Sequence, residues 1–166
     1  MARRRQVLST GIAAGATFIA GCLGDDQDLR GADYDPPDDG ERGGTNDNGY
    51  ATYVVGDQAV PLAPTDQVSE WYEHDEDLVV VDTRSRDEYD SLHIEGAVWS
   101  PHPDGRETND PLADVDTDTL IVTYCVCPHA MAGSRAASLM DDGYTEVYAL
   151  DEGLQEWVDR GLPTSP

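Results

Sequence analysis

Short strand-type segments that alternate with helix-type segments constrain the fold of this chain more than any other feature. Residues 78–81 form a continuous apolar run, and residues 120–124 and 146–150 are two further segments of strand type. Strands buried on both faces are typical of parallel sheets that helices cover on each side. Helix-type segments of about ten residues lie between them. The sequence therefore predicts an α/β fold with a small central parallel sheet flanked by helices.

Weaker signals complete the predicted order of elements. Ser85 and Glu88 have the spacing of a capping box, which predicts the start of a short helix. The other predicted strands are 51–55, 59–63 and 97–100, the other predicted helices are 65–74, 133–142 and 153–160, and residues 101–118 form a long loop. In open parallel sheets, ligands bind beyond the carboxyl ends of the strands. We therefore expect the functional site in the loops after Val81, Tyr124 and Leu150.

The chain is strongly negative along its whole length. Its 166 residues include 34 acidic residues, 10 arginines and no lysine, which gives a net charge of -24 at pH 7. This charge excludes nucleic acid, and an anionic membrane surface, as a general electrostatic partner. In concentrated salt the Debye length shrinks to about 3 Å at 1 M, so that acidic side chains repel one another much less. The composition therefore predicts a protein of a halophile.

The first 21 residues have the character of an export signal. Three arginines at positions 3–5 precede an apolar stretch that is too short to span a bilayer as a stable helix. Residues 4–8 resemble a twin-arginine signal, and residues 19–22 resemble a lipobox, in which Cys22 would be lipidated. The alternative is a plain secretory signal in which Cys22 has no role. We expect an exported protein, anchored through a lipid on Cys22 to the outer face of the cell membrane.

An acidic linker is predicted between this signal and the folded domain. Residues 25–49 contain eight Asp, one Glu, five Gly and two Pro, with Leu29 and Tyr34 as the only large apolar residues. Such a segment buries too little surface to offset the entropy lost on ordering. The predicted organisation is an export signal over 1–21, a disordered acidic linker over 22–49, and one domain over 50–166.

The loop after the strand at 120–124 holds the residues best suited to chemistry. In chain order they are Cys125, Cys127, Pro128, His129, Gly133, Ser134 and Arg135. Backbone N–H groups at the start of a helix favour negative charge, and a guanidinium adds further donors. A cysteine in this setting is expected to be a thiolate near neutral pH and hence nucleophilic. A protonated His129 would lower the pKa of such a thiol further.

Three segments of the chain resemble the rhodanese (sulfurtransferase) family, in the family's order and spacing. Residues 78–97 are similar to its first signature, a hydrophobic run followed by D-x-R, E-Y and H-I-x-G-A. Residues 121–137 are similar to the strand, loop and helix of its active site, and residues 143–163 to its closing strand and helix. The resemblance covers about residues 60–166 and implies a rhodanese-like fold.

The resemblance also implies an activity. In this family a cysteine at the end of a strand takes a sulfane sulfur from a donor such as thiosulfate, becomes a persulfide and passes the sulfur to a thiophilic acceptor. By position, Cys125 corresponds to this cysteine and Arg135 to the arginine that closes the loop. Asp82 and Arg84 correspond to a structural salt bridge beside the site, and contact of Arg84 with substrate is the alternative.

The implied partners are small molecules. They are a small sulfur-containing anion as the donor and a thiol as the acceptor, and no cofactor is implied. The residues expected to contact the substrate are His129, Gly133, Ser134 and, in the alternative, Arg84.

The active loop departs from the usual family length. Seven residues, 126–132, separate Cys125 from Gly133, where the family commonly has two. The loop looks closer to that of a rhodanese-like subgroup with a C-x-C-P-H pattern. Cys127 is therefore open to several interpretations: it could carry the persulfide itself, resolve a persulfide on Cys125 by forming a disulfide, or pack without a chemical role.

Other functions compete with sulfur transfer. Cys125, Cys127 and His129 are closely spaced ligands that would suit Cu(I) or Zn(II), although a fourth protein ligand is not evident. A rhodanese fold used as a non-catalytic binding module is a further alternative. A phosphatase or arsenate reductase requires a Cys-x5-Arg loop, and neither cysteine has that spacing to Arg135.

Overall fold

A computed structural model describes residues 40–75, 77–126 and 129–166 of the chain. The strands are β1 (Gly40–Thr45), β2 (Ala51–Val55), β3 (Gln58–Ala63), β4 (Val79–Asp82), β5 (His93–Ile94), β6 (Val98–Trp99), β7 (Ile121–Tyr124), β8 (Val147–Leu150) and β9 (Thr164–Ser165). The helices are α1 (Thr65–His74), α2 (Arg86–Ser91), α3 (Ala130–Asp141) and α4 (Gly153–Asp159).

The central sheet has the strand order β1-β2-β3-β8-β7-β4-β6. Neighbours from β3 to β6 pair in parallel, whereas β1, β2 and β3 pair antiparallel. Strands β5 and β9 form a separate antiparallel pair. The prediction of an α/β fold with a central parallel sheet flanked by helices is confirmed, with an antiparallel hairpin added at one edge.

The side chains of β7 alternate between two hydrophobic clusters, one on each face of the sheet, so this central strand is buried on both faces. Ile121 packs into one hydrophobic cluster, which includes Leu139 of α3. Val122 and Tyr124 pack into the other cluster, which includes Trp157 of α4. Because successive side chains of a strand point to opposite faces, each cluster receives alternate residues of β7. The two cores hold the carboxyl end of this strand in a fixed position beneath the active loop.

The capping box predicted at α2 is present. The Ser85 hydroxyl accepts from the backbone N–H of Glu88, and the Glu88 carboxylate in turn accepts from the Ser85 N–H. Helix α3 differs from its prediction, because it begins at Ala130 rather than at Gly133. Gly133 was expected to open the helix, but it lies inside the first turn, where its lack of a side chain makes room for Tyr53.

The predicted boundary between linker and domain is wrong by about ten residues. Strand β1 lies within the segment expected to be disordered, and it pairs with β2, with Glu41 opposite Val54 and Arg42 opposite Tyr53. Strand pairing satisfies backbone N–H and C=O groups without requiring apolar side chains, so composition alone did not reveal β1. The ordered domain therefore includes residues 40–49.

The predicted export signal, Cys22 and the first part of the linker lie outside the described residues. Within the described ranges, the structure contains no helix long and apolar enough to cross a membrane.

Candidate active site

Cys125 lies at the carboxyl end of β7 and is 2% exposed. Its side chain belongs to the hydrophobic cluster that also contains Met131 and Ala132. Its carbonyl oxygen accepts from the backbone N–H of Leu154 in α4, at 2.8 Å. The first residue of the loop is therefore held by a strand on one side and by the first turn of α4 on the other.

Cys127 and Pro128 lie outside the described residues. The predicted roles of Cys127, as persulfide carrier or resolving thiol, remain predictions. For the same reason the C-x-C-x-H metal site is untested, although the described residues contain no group of three or more metal-ligating side chains.

His129 caps the start of α3 and has a φ of 87°, in the left-handed region that few non-glycine residues adopt. The residue is 9% exposed. Its Nε2 lies 3.5 Å from Oδ1 of Asp151, whereas its buried Nδ1 has no hydrogen-bond partner among the described residues. The backbone conformation thus directs the ring into the protein, with one nitrogen facing a carboxylate.

The charge state of His129 corrects one expectation. Burial lowers its pKa to about 4, against the opposing effect of the Asp151 charge. The nearby Arg42 guanidinium lowers this pKa further, and Glu152 raises it. His129 is therefore neutral at neutral pH, and it does not act as the cation that was expected to lower the pKa of a thiol.

The antiparallel hairpin formed by β1 and β2 contributes two side chains to this site. Arg42 donates from Nη2 to Oδ1 of Asp151 at 2.5 Å. The ring of Tyr53 lies 5.2 Å from the His129 ring, centroid to centroid. A Cβ atom added to Gly133 would overlap the Tyr53 ring. Gly133, expected to contact substrate, thus provides close packing between α3 and the hairpin.

Arg135 is held by contacts with Ser100 and with the long loop that follows it. Its guanidinium is buried, donates from Nε to Oγ of Ser100 at 3.1 Å, and lies 3.6 Å from Oδ1 of Asp110. Burial lowers the pKa of Arg135, and Asp110 acts against that effect. These contacts fix α3 to Ser100 and to the long loop 101–118, and the role of Arg135 towards an anion stays a prediction.

Ser134 lines an open cleft of about 480 Å³. Four aspartates also line the cleft: Asp57, Asp104, Asp141 and Asp142. Carboxylates repel anions, so the charge of this cleft disfavours an anion. Contact of Ser134 with substrate stays a prediction.

Asp82 and Arg84 form the salt bridge that was expected beside the site. Arg84 Nη2 lies 2.6 Å from Asp82 Oδ2, and a second hydrogen bond joins Arg84 Nη2 to the Leu92 carbonyl at 2.6 Å. Burial alone would lower the pKa of Arg84, but the hydrogen bonds and charge of Asp82 raise it. The Arg84 guanidinium is 1% exposed, and contact of Arg84 with substrate stays a prediction.

The three predicted loops do meet at one edge of the sheet. Thr83, after β4, donates its N–H to the Tyr124 carbonyl at 3.1 Å, and Asp151, after β8, lies beside His129. The sequence had pointed to the loop after Leu150 without identifying Asp151, and nothing in it had indicated Arg42 or Tyr53. The position of Asp151 directly after a buried strand was the available signal. The site combines a buried thiol, a neutral imidazole and a carboxylate.

Comparison with known families agrees with this architecture. A family model described as the rhodanese-like domain matches residues 65–160. The matched region contains the active loop and Asp151 but excludes the hairpin of β1 and β2.

Several curated relatives are sulfurtransferases. The chain is 35% identical to thiosulfate sulfurtransferase GlpE of Stutzerimonas stutzeri over 48% of this chain and 69% of the relative. It is 38% identical to the GlpE of Pseudomonas entomophila over 49% of this chain and 72% of the relative. An HTH-type transcriptional regulator of Mycobacterium tuberculosis is 36% identical over 52% of this chain, which spans only 37% of the regulator.

Solved structures show the same fold at lower identity. A rhodanese-like domain from Anabaena superposes with a TM-score of 0.55 at 22% identity, covering 63% of this chain and 78% of that one. The protein BH2092 from Bacillus halodurans has a TM-score of 0.55 at 23% identity, covering 63% of this chain and 75% of that one.

Proposed function

This chain belongs to the rhodanese-like domain family, and on that basis we propose that it is a sulfurtransferase. The proposed reaction moves sulfane sulfur from a donor such as thiosulfate to a thiophilic acceptor through a cysteine persulfide. The observation that carries the proposal is the position of Cys125, at the carboxyl end of β7 and the first residue of the loop that leads to α3. The relatives named thiosulfate sulfurtransferase support it.

The proposed first step is nucleophilic attack by a cysteine thiolate. Its sulfur bonds to the outer sulfur of thiosulfate, and the sulfur–sulfur bond of the donor breaks. The bonding electron pair leaves with sulfite, and the cysteine retains a persulfide anion. In the second step the acceptor attacks the outer sulfur of the persulfide and restores the thiolate.

Cys125 is the favoured nucleophile, with Cys127 as the alternative carrier or as a resolving thiol. Cys125 is buried, and its carbonyl oxygen accepts from the Leu154 N–H. Cys127, two residues along the chain, supplies a second thiol for the same chemistry.

Intact mass spectrometry tests the proposal and assigns the thiol. The full chain carrying Cys22→Ser, which leaves Cys125 and Cys127 as the only thiols, is reduced in concentrated KCl and measured before and after thiosulfate. We expect a gain of one sulfur atom, which either Cys125→Ser or Cys127→Ser abolishes. Sulfur gain that survives when Cys125→Ser and Cys127→Ser are combined would contradict the persulfide mechanism.

Metal binding is the second candidate function, and one observation favours it. The buried Nδ1 of His129 has no hydrogen-bond partner among the described residues, as an unoccupied ligand atom would. Native mass spectrometry of the same protein distinguishes the two functions. Retained copper or zinc with no sulfur gain would assign the loop to metal binding, whereas neither signal would leave a rhodanese fold without demonstrated sulfur transfer.

The proposed location is the outer face of the cell membrane, with a lipid on Cys22. The arginines at positions 3–5 and the small residues before Cys22 support this location. We expect Cys22→Ser to release the protein from the membrane fraction, as followed by immunoblotting after cell fractionation. Unchanged attachment in that variant would contradict lipid anchoring.

A further inference from the structure

Arg106 differs from every other arginine in the part of the chain that the structure describes. The other arginines there each form an ion pair with a carboxylate: Arg42, Arg84, Arg86, Arg135 and Arg160. The guanidinium of Arg106 forms no ion pair and no hydrogen bond with the described residues, although the chain is strongly acidic. This half-buried cation is therefore available to an anion from outside the chain.

The ring of Trp99 holds the side chain of Arg106. The Cζ atom of Arg106 lies over this ring, 5.6 Å from its centroid. The indole is itself fixed, because its Nε1 donates to the Arg84 carbonyl at 2.9 Å. A guanidinium over an aromatic face keeps its N–H donors in its own plane, where two of them can bind two oxygens of one oxyanion.

The backbone that carries Arg106 is fixed as well. Its N–H donates to Oδ2 of Asp110 at 2.6 Å, and the same oxygen accepts from the Ser100 hydroxyl at 2.7 Å. Gly105 has a φ of 79°, and a Cβ atom there would overlap Asp110 and the Arg135 guanidinium. The position of Arg106 is thus set before a ligand binds, so that binding orders little of this backbone.

A second arginine lies against the same ring. The Cζ atom of Arg86 is 5.3 Å from the centroid of Trp99. Its Nε donates to Asp90 at 2.8 Å, and its Nη2 lies 2.8 Å from the other oxygen of that carboxylate. Arg86 therefore has fewer donors left for a ligand than Arg106, and we expect it to have the smaller effect on binding.

The place of Trp99 in the sheet favours a binding site. Trp99 ends β6 and lies opposite Asp82 of β4, which lies opposite Tyr124 of β7 on its other side. In open parallel sheets ligands bind beyond these carboxyl ends. We propose that Arg106 and Trp99 bind the oxyanion group of a small ligand, a carboxylate or a sulfur oxyanion. This site lies outside the active loop and requires no cysteine.

The net charge of the chain does not exclude such a ligand. At 1 M salt the Debye length is about 3 Å, so an anion is affected mainly by the charges that it contacts. The two oxygens of a carboxylate or sulfate match the paired N–H groups of a guanidinium, whereas a chloride ion offers a single centre. We therefore expect binding to persist in concentrated KCl.

Nuclear magnetic resonance of ¹⁵N-labelled tryptophan tests the site in the full chain carrying Cys22→Ser, in concentrated KCl. The Nε1–H signal of Trp99, assigned by its loss in Trp99→Phe, is followed during titration with potassium sulfate and, separately, with potassium acetate. We expect this signal to shift and saturate with at least one probe, while the signals of Trp71 and Trp157 stay unchanged. The probe that saturates at the lower concentration identifies the class of oxyanion.

Arg106→Gln should weaken binding by about tenfold or more, because the variant loses the charged donors. Arg160→Gln is the matched control and should leave binding unchanged, since Arg160 pairs with Glu156 and Asp66. A shift that does not saturate with either probe, or binding that is unchanged in Arg106→Gln, would overturn the proposal.

This test is independent of sulfur transfer, because neither sulfate nor acetate contains sulfane sulfur. If the Trp99 signal saturates in a protein that gains no sulfur from thiosulfate, the proposed function fails while the oxyanion site stands. If sulfur is gained and the Trp99 signal does not respond, the oxyanion site fails alone.

Discussion

Arg84 and Asp82 form a buried ion pair directly below the active loop, with Nη2 of the arginine 2.6 Å from Oδ2 of the aspartate. The Tyr124 hydroxyl donates to the same Oδ2 at 2.7 Å. The same hydroxyl accepts from the Ile94 N–H at 3.1 Å. The pair therefore joins the ends of β4 and β7 to β5, and it fixes the strand end from which Cys125 extends.

Replacing Arg84 by leucine is expected to lower the free energy of unfolding by about 3–5 kcal/mol, because Asp82 would be left as an unpaired buried charge. Chemical denaturation in concentrated KCl measures this change. Arg86→Leu is the matched control: its ion pair with Asp90 is exposed and should leave the unfolding midpoint unchanged. Equal effects of the two substitutions would contradict the structural role assigned to Arg84.

Asp110 is expected to hold the loop 101–118 in place. Its carboxylate accepts from Ser100 at 2.7 Å, from the Arg106 N–H at 2.6 Å and from the Leu112 N–H at 3.0 Å. Asp110→Ala removes these acceptors and leaves Arg135 buried without its carboxylate.

We expect Asp110→Ala to accelerate amide hydrogen exchange across residues 101–118 and to lower the unfolding midpoint. Asp114→Ala, in the same loop and exposed, is the control. If exchange in the loop is unchanged, the carboxylate of Asp110 does not organise it.

Gly133→Ala is expected to destabilise the protein although alanine is the better helix former. Helix propensity favours alanine by about 0.8–1 kcal/mol, whereas overlap with the buried Tyr53 ring costs about 1–3 kcal/mol. Thermal unfolding decides which effect is larger. Gly44→Ala is the control, since nothing lies within 4 Å of a Cβ atom at Gly44. A raised melting temperature for Gly133→Ala would show that Tyr53 moves aside.

His129 is expected to make stability depend on pH in a defined window. Its pKa is about 4 in the folded chain and returns to the ordinary value of 6.5 on unfolding. Between pH 4 and 6.5 the unfolded chain binds more protons at this residue than the folded chain does. The contribution of His129 to the free energy of unfolding is therefore fully present above about pH 6.5 and is lost as the pH falls towards 4.

Denaturation at several pH values, compared between the wild type and His129→Gln, isolates that contribution. We expect the stability difference between pH 7.5 and 5 to be smaller in the variant. His74→Gln, at an exposed imidazole, is the control and should behave as the wild type. An unchanged pH dependence in His129→Gln would mean that His129 is not buried in its neutral form.

Strand-type patterns predicted the parallel core correctly because burial on both faces leaves a clear sequence signal. The pairing of β4 with β7, from Val79 opposite Ile121 to Asp82 opposite Tyr124, brings together two of the most apolar segments. Strand β1 gave no such signal, because most of its side chains are exposed and its backbone pairs with that of β2. The two-residue strands β5 and β9 are too short to show a period.

The sequence alone determined the fold class and the position of Cys125 at a strand end, because these follow from local pattern. The Asp82–Arg84 pair was implied by the resemblance to the rhodanese family. Tertiary structure alone decided that His129 is neutral, since burial sets its pKa. It also placed Arg42 against Asp151, 109 residues away along the chain, and turned Arg135 towards Asp110. Partners and charge states at the site depend on packing between distant segments, and no local pattern encodes them.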